Sequence, residues 1–331
     1  MRVGVIGLGK MGLLHAGIIN SVQDANVTAV CEKEPFFVAA AKALLPKRIG
    51  IYRDYQEMVA EEQLDAVFVT TPISTHASIV SDLIKSSMGL SIFVEKPLAA
   101  SYEQARATCD AAGRSRGVHT VGFQKRFSPV FGKARDFIEQ KIIGEPILFK
   151  AYCFSSDVLR RGSAWRFENS SGGVLLDLAP HLLDLLIWFF GEPNVIFAIK
   201  KHVYSSEVDD YVHAVMSYES GLHGSIDACW SISNFRLPEI LVEIYGKNGM
   251  LAVTDDYVSF RPGKETGQIG GGQIFYRQSF NTKVPFLLTD PEYTLEDAAF
   301  VDAVRNRRMP ELSFVQATRV NAVIDKIQRC R

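Results

Sequence analysis

At 331 residues the chain exceeds one ordinary domain and suits two, and its 47% apolar content supplies a core for each. Lys and Arg total 36 against 37 Asp and Glu, a net charge of -1. That balance excludes a broad basic surface for nucleic acid, while a small anionic substrate needs only a local cluster of cations. The five cysteines, Cys31, Cys109, Cys153, Cys229 and Cys330, are scattered without a CxxC pair. Such spacing argues against a disulfide framework and a zinc site, so reduced thiols in a cytoplasmic protein and no metal are expected.

Residue 1 leads straight into RVGVI, which reads as a strand and leaves no room for a signal peptide. From there to about Gly122 short apolar runs alternate with helical patterns. The runs are RVGVI, NVTAVC, IGIY, DAVFVT, LSIFVE and VHTVGF, with amphipathic stretches such as YQEMVAEEQ and HASIVSDLIKSS between them. Near-continuous apolar strands separated by helices predict a parallel sheet covered on both faces over residues 1–122, a domain that the glycine motif GLGKMG makes a Rossmann dinucleotide-binding one.

Past Gly122 the rhythm changes. A helix over about Pro129 to Ile142 leads to a strand, EPILFKAY, and then to a helix around His181. The stretch Leu175 to Gly191 is the most apolar, but it carries Asp177, His181 and Asp184 and is too short to span a bilayer. NVIFAIKKHVY, DYVHAVMSY, GLHGSIDACW, EILVEIYG and MLAVT follow as strands with Gly or Asn-Gly turns. Helices over about Glu292 to Asn306 and Phe314 to Arg329 close the chain. Residues 123–331 thus read as an α+β domain with a large open, mostly antiparallel sheet, and KETGQIGGGQ (264–273) as a flexible loop.

GLGKMG (7–12) fits G-x-G-x-x-G directly between the first strand and a helix, the context that gives the pattern meaning. Gly7 serves the tight turn, Gly9 the approach of pyrophosphate to backbone, and Gly12 the close packing of helix on strand. The helix N-terminus then offers its unpaired N–H groups to the phosphates. Glu32 follows the second strand, where a carboxylate accepts both adenosine ribose hydroxyls and repels a 2′-phosphate. NAD is therefore favoured, and the adjacent Lys33 keeps NADP open.

Three further constellations carry chemistry. VTTPISTH (69–76) lies at the carboxyl end of the fourth strand, where open α/β sheets bind ligands; His76 there is either a ligand contact or a plain helix-start residue. VEKP (94–97) ends the fifth strand and presents Lys96 on a backbone stiffened by proline. In SGGVLLDLAPHLLDLL (171–186), a helix starting near Asp177 puts Asp177, His181 and Asp184 on one face, with Asp177 as N-cap, Pro180 in the first turn and a Gly-Gly turn that admits a ligand.

In this order and spacing GLGKMG, TPISTH, EKP, GFQKRF and GG-x3-D-x3-H resemble the glucose–fructose oxidoreductase, inositol dehydrogenase and rhizopine catabolism (Gfo/Idh/MocA) family of oxidoreductases, over essentially the whole chain. The resemblance implies that Lys96 is the catalytic lysine bridging the substrate hydroxyl and the nicotinamide ribose. It makes His181 the general base or acid and Asp177 the residue that orients it and the sugar. Arg126 matches a position lining the mouth of the site, and Trp165 and Arg166 a pair beside the cofactor. The family often has glycine where Ser171 stands, a departure that bears on the pocket.

The expected cofactor set is then Gly7, Leu8, Gly9, Lys10, Met11, Gly12, Glu32, Lys33, Thr71, Pro72, His76, Glu95, Lys96, Trp165 and Arg166, and the substrate set Lys96, Arg126, Arg161, Asp177 and His181. The activity implied is hydride transfer between NAD, or NADP, and a secondary hydroxyl or ketone of a sugar, inositol or sugar derivative, in a homodimer or homotetramer formed through the second sheet. A dinucleotide-binding sensor without turnover and a reductase of a non-sugar carbonyl are the alternatives. Arg160, Arg161 and Arg166 in VLRRGSAWRFEN (158–169) suit a carboxylate or phosphate on the substrate.

Overall fold

The computed structural model describes residues 1–156, 159, 172–235, 237–263, 272–280 and 290–330. They form two compact units, Met1–Gln124 with Lys283–Thr318, and Lys125–Thr282 with Arg319–Arg331.

In the first unit, β1 (Arg2–Ile6), β2 (Asn26–Cys31), β3 (Gly50–Tyr52), β4 (Ala66–Val69), β5 (Ser91–Glu95) and β6 (His119–Gly122) form one sheet in the order β3-β2-β1-β4-β5-β6. All its pairings are parallel. The helices α1 (Lys10–Ile19), α2 (Pro35–Leu44), α3 (Tyr55–Glu61), α4 (Ile73–Ser86) and α5 (Tyr102–Ala112) alternate with the strands. Strands buried on both faces cannot alternate polar with apolar residues, and β4 and β5 are buried at every position. The order of the strands reverses between β1 and β4, so the turns after these two strands border the crevice where such sheets take ligands.

The single boundary expected after Gly122 differs from this partition by the segment 283–318. Its helix α9 (Pro291–Asn306) contributes Phe300 and Val301 to the same core as Val3, Val5, Phe68 and Phe93. Phe68 and Phe93 stack at 4.5 Å between centroids, and Phe300 meets both rings edge-on. Farther along, the Leu312 carbonyl accepts from Thr120 Oγ1 at 2.7 Å and from the Val121 amide at 3.0 Å.

The second unit holds β7 (Pro146–Phe154), β8 (Asn194–Lys201), β9 (Tyr211–Ser217), β10 (His223–Cys229), β11 (Glu239–Gly246), β12 (Gly249–Thr254), β13 (Tyr257–Pro262) and β14 (Gln273–Tyr276). They run β14-β13-β12-β11-β7-β10-β9-β8, antiparallel except for the β7–β10 pair. Phe149, Ala151 and Cys153 of β7 are buried, and the alternate Lys150, Tyr152 and Phe154 face the other way, half-buried or exposed. The buried face is packed by α6 (Pro129–Glu139), α7 (Gly173–Asp177) and α8 (Ala179–Phe190). The helix α10 (Phe314–Arg329) ends the described chain. No helix among the described residues is long and apolar enough to cross a membrane.

At the start of β6 the His119 ring is buried and stacked on Phe314 at 5.4 Å, with neither ring nitrogen hydrogen-bonded. Burial pushes this imidazole down from 6.5 to about 4. The neutral ring is therefore favoured in the folded state, its contribution complete above pH 6.5 and lost as pH falls toward 4. Denaturant titrations across that window are expected to show His119→Leu with a shallower acid loss than the parent, the difference approaching about 3 kcal/mol. Parallel pH profiles would show that His119 titrates alike in the folded and unfolded chain.

Candidate active site

The turn from β1 to α1 shows three separate glycine requirements. Gly7 has φ +92°, a left-handed conformation that side chains resist, and a Cβ on it would also lie 3.0 Å from Thr71 Cγ2. A Cβ on Gly12 would sit 1.8 Å from the Gly7 carbonyl oxygen, so helix and strand meet there without room for one carbon. A Cβ on Gly9 meets nothing within 4 Å: this glycine borders open space at the N-terminus of α1. Thr70 Oγ1 donates to the Ile6 and Gly7 carbonyls at 3.0 and 2.8 Å and ties the end of β4 to the same turn.

Glu32 accepts three backbone amides, from Leu8 at 2.7 Å, Lys33 at 2.7 Å and Glu34 at 2.9 Å. Its carboxylate is thereby fixed beside the glycine turn, and swinging it aside would break all three bonds. Lys33 is exposed, and its carbonyl accepts from the exposed Arg53, a second cation that the sequence reading did not single out. Open space at Gly9, unpaired helix N–H groups and an anchored carboxylate fit the pyrophosphate and adenosine ribose of a dinucleotide without a 2′-phosphate. Lys10 is exposed, Met11 half-buried and Leu8 buried, so only the Leu8 backbone belongs to this surface.

At the mouth of β4, Thr71 is half-buried and Pro72 exposed. His76 lies beneath them, 1% exposed, with Nε2 2.8 Å from the Thr71 carbonyl and Nδ1 2.9 Å from the Pro97 carbonyl. Burial lowers its basicity, and the two carbonyls partly oppose the change. His76 therefore joins the Thr71 turn to the Lys96-Pro97 turn from below instead of reaching into the crevice. Glu95 also has partners other than a cofactor: Oε1 is 3.0 Å from His15 Nε2, and Oε2 accepts the Lys96 amide at 3.1 Å. His15 was absent from the expected set, and its only trace in the sequence is a polar residue inside the apolar run MGLLHAGII.

The second unit carries the other candidates. Asp177 is the last residue of α7, not the N-cap of the following helix; Leu178 takes that place, with φ -98° and ψ -46° and no side-chain cap. The expected N-cap at Asp177 is corrected by Gly172 and Gly173, both at positive φ, which start a short helix one turn earlier. These glycines are filled from the protein's own side. A Cβ on Gly172 would lie 2.2 Å from Leu176 Cδ1, and one on Gly173 2.9 Å from the Asp209 carbonyl. Pro180 does fall in the first turn of α8. Asp177 and His181 are half-buried on helices whose intervening residues Leu178, Ala179 and Pro180 are buried. The helical spacing of four puts their side chains on one stripe.

Asp184 leaves that stripe for the interior. Its two oxygens accept from Arg126 Nε at 2.8 Å and Nη2 at 2.6 Å, and the side chains are 1% and 6% exposed. Arg126 was expected at the substrate mouth, but its guanidinium fork is engaged by Asp184, one helical turn past His181, and also lies over Trp188. It braces the helix that carries His181. Trp165, Arg166 and Arg161 lie outside the described residues.

The strand order, glycine turn and anchored carboxylate define the first unit as the dinucleotide-binding part of an oxidoreductase. Residues 1–123 match the oxidoreductase family, NAD-binding Rossmann fold, and residues 131–252 the GFO/IDH/MocA C-terminal domain. The chain belongs to the Gfo/Idh/MocA family of oxidoreductases. It is 27% identical to scyllo-inositol 2-dehydrogenase (NAD(+)) of Bacillus subtilis, over 96% of this chain and 90% of that protein. It is 26% identical to the rhizopine catabolism protein MocA of Rhizobium meliloti, over 70% and 74% respectively. A levoglucosan dehydrogenase solved with NADH and levoglucosan shares the fold, with a TM-score of 0.86 at 24% identity, covering 99% of this chain and 96% of that one.

The glycine geometry separates binding from folding. Gly9→Ala is expected to keep the parent melting temperature and lose NADH affinity at least about tenfold, because its Cβ enters the ligand's space. Gly12→Ala should lower the melting temperature itself. Fluorescence titration of NADH alongside thermal melts checks both, and equal behaviour of the two variants would contradict the assignment.

Proposed function

We propose that the chain is an NAD-dependent dehydrogenase that moves a hydride between nicotinamide and a secondary hydroxyl or ketone carbon of a sugar, inositol or related polyol. The observation that carries the reading is the Asp177–His181 pair, the only ionisable side chains on the described α7 and α8 left half-open to solvent. It is supported by the inositol and sugar dehydrogenases among the chain's relatives.

Bound NAD supplies the acceptor for the hydride. The chain's own residues handle the proton and the developing charge. His181 takes the hydroxyl proton in oxidation and returns it in reduction, while Asp177 orients the ring. The Lys96 ammonium stabilises alkoxide character at the reacting oxygen. Arg126 and Asp184 keep α8 from rotating. Glu32, held on three amides, selects NAD over NADP. In this reading residues 1–122 bind dinucleotide, and residues 123–331 bind substrate and mediate assembly.

The protein works in the cytoplasm as a homodimer or homotetramer. Supporting this, Tyr152, Phe154, Tyr211, Leu241 and Tyr245 line one face of the eight-stranded sheet half-buried, and Phe197 and Ile199 at its edge are exposed. Light scattering is expected to return two or four copies, and a monomer would remove the assembly reading.

Turnover is expected on at least one member of a panel of inositols, neutral sugars, uronic acids and sugar nucleotides, faster with NAD than with NADP. His181→Ala should then lower kcat by about 10² to 10⁴ with NADH affinity nearly unchanged. Equal losses in kcat and NADH affinity would make His181 structural. Tight NADH binding with no turnover across the panel would favour a sensor.

A further inference from the structure

Behind Lys96 lies a line of three buried ionisable groups that the proposed chemistry does not use. His15, in the second turn of α1, is 0% exposed, and its Nδ1 lies 2.9 and 3.0 Å from the two oxygens of Asp297 on α9, itself 0% exposed. Its Nε2 is 3.0 Å from Glu95 Oε1, and the other Glu95 oxygen accepts the Lys96 amide. The imidazole is walled by Phe68 and Phe93 at 5.3 and 5.0 Å, with the Tyr293 ring at 6.3 Å. Burial pushes the ring toward neutrality, but Asp297 and Glu95 outweigh it and hold His15 well above its ordinary value. Burial raises Asp297, and Glu95 is held low by His15 and Lys96 despite its burial.

A charged line through an aromatic core is costly, and apolar residues of like volume would serve stability as well or better. What such a line provides is geometry. His15 belongs to the helix whose N-terminus borders the open space at Gly9, and Glu95 is the last residue of the strand that delivers Lys96. Asp297 anchors the line from a helix that joins this unit from 282 residues away.

We infer that Asp297, His15 and Glu95 form a positioning relay that sets Lys96 in register with the dinucleotide-binding turn. Asp297 and His15 touch neither substrate nor cofactor in this scheme; they act through Glu95 on the lysine backbone. The inference rests on the dehydrogenase reading given above, and its test separates the two.

The test compares parent, Asp297→Asn and His15→Gln, each screened first for a cooperative thermal melt. The amide of Asp297→Asn keeps the size and an acceptor but removes the charge, and His15→Gln can reach only one carboxylate. With a substrate the parent turns over, both variants are expected to lose about ten- to a hundredfold in kcat, with NADH affinity within threefold of the parent. Independently of turnover, acetic anhydride labelling of Lys96 is read by peptide mass spectrometry against exposed Lys85 as internal standard. NADH should protect Lys96 in the parent and protect it at most half as well in the variants.

Parent-like kcat and parent-like protection in both variants would overturn the relay while leaving the dehydrogenase reading intact. Losses in melting temperature and NADH affinity with kcat per folded molecule unchanged would make the line structural and likewise overturn it. An unprotected Lys96 in the parent would remove the dehydrogenase role of that lysine, and the relay with it.

Discussion

Gly12 approaches the Gly7 carbonyl so closely that a single added carbon would stand 1.8 Å from the oxygen, and much of the first unit follows from that approach. It sets the angle at which α1 leaves β1, and hence where the first helical amides point. It also sets where His15, just beyond, enters the core. With α1 fixed, Glu32 can take the Leu8 amide and Thr70 can bond back to the Gly7 carbonyl, so the ends of β1, β2 and β4 form one rigid edge. The strand reversal between β1 and β4 leaves a crevice at that edge, and the glycines make it shallow enough for backbone to meet a phosphate.

The second unit solves a different problem. A sheet of eight strands presents two faces, and α6, α7 and α8 can cover only one. The helix pair α7–α8 is pinned from both sides, by Gly172 and Gly173 against Leu176 and the Asp209 carbonyl, and by the buried Arg126–Asp184 fork. A bidentate pair held that dry tolerates little rotation. The two ionisable residues that remain half-open on this braced element, Asp177 and His181, owe their fixed orientation to neighbours with no chemistry of their own.

The parallel strands were legible because burial on both faces forces continuous apolar runs, and the middle strands of the second sheet because one covered face forces alternation. β13 and β14 escaped notice for the complementary reason. YVSFRP ends in an exposed Arg261 and a half-buried Pro262, and QIFY is an edge strand exposed or half-buried along its length, so neither carries the pattern of a covered face. In the site, the glycine turn was readable because each glycine answers a demand local to the turn. Asp177 was misplaced by one element because a capping residue and the end of a five-residue helix look alike when Pro180 follows. Arg126 could not be given its partner, since nothing in KRF names a carboxylate 58 residues away. His15 was invisible for the same reason on a larger scale.

The place of α9 has a consequence for how the chain is made. Six strands and five helices of the first unit are complete by Gln124, yet the helix that caps their core and supplies Asp297 lies more than 160 residues later, beyond most of the second unit. At ribosomal speeds of about 5–20 residues per second, the segment up to Thr318 follows roughly ten to forty seconds behind. Throughout that interval His15 lacks Asp297, one of its two carboxylate partners, and the surfaces that will meet Phe300 and Val301 are bare. Closure of the first unit therefore waits on a contact of very long sequence separation, which makes a slow, late step intrinsic to its topology.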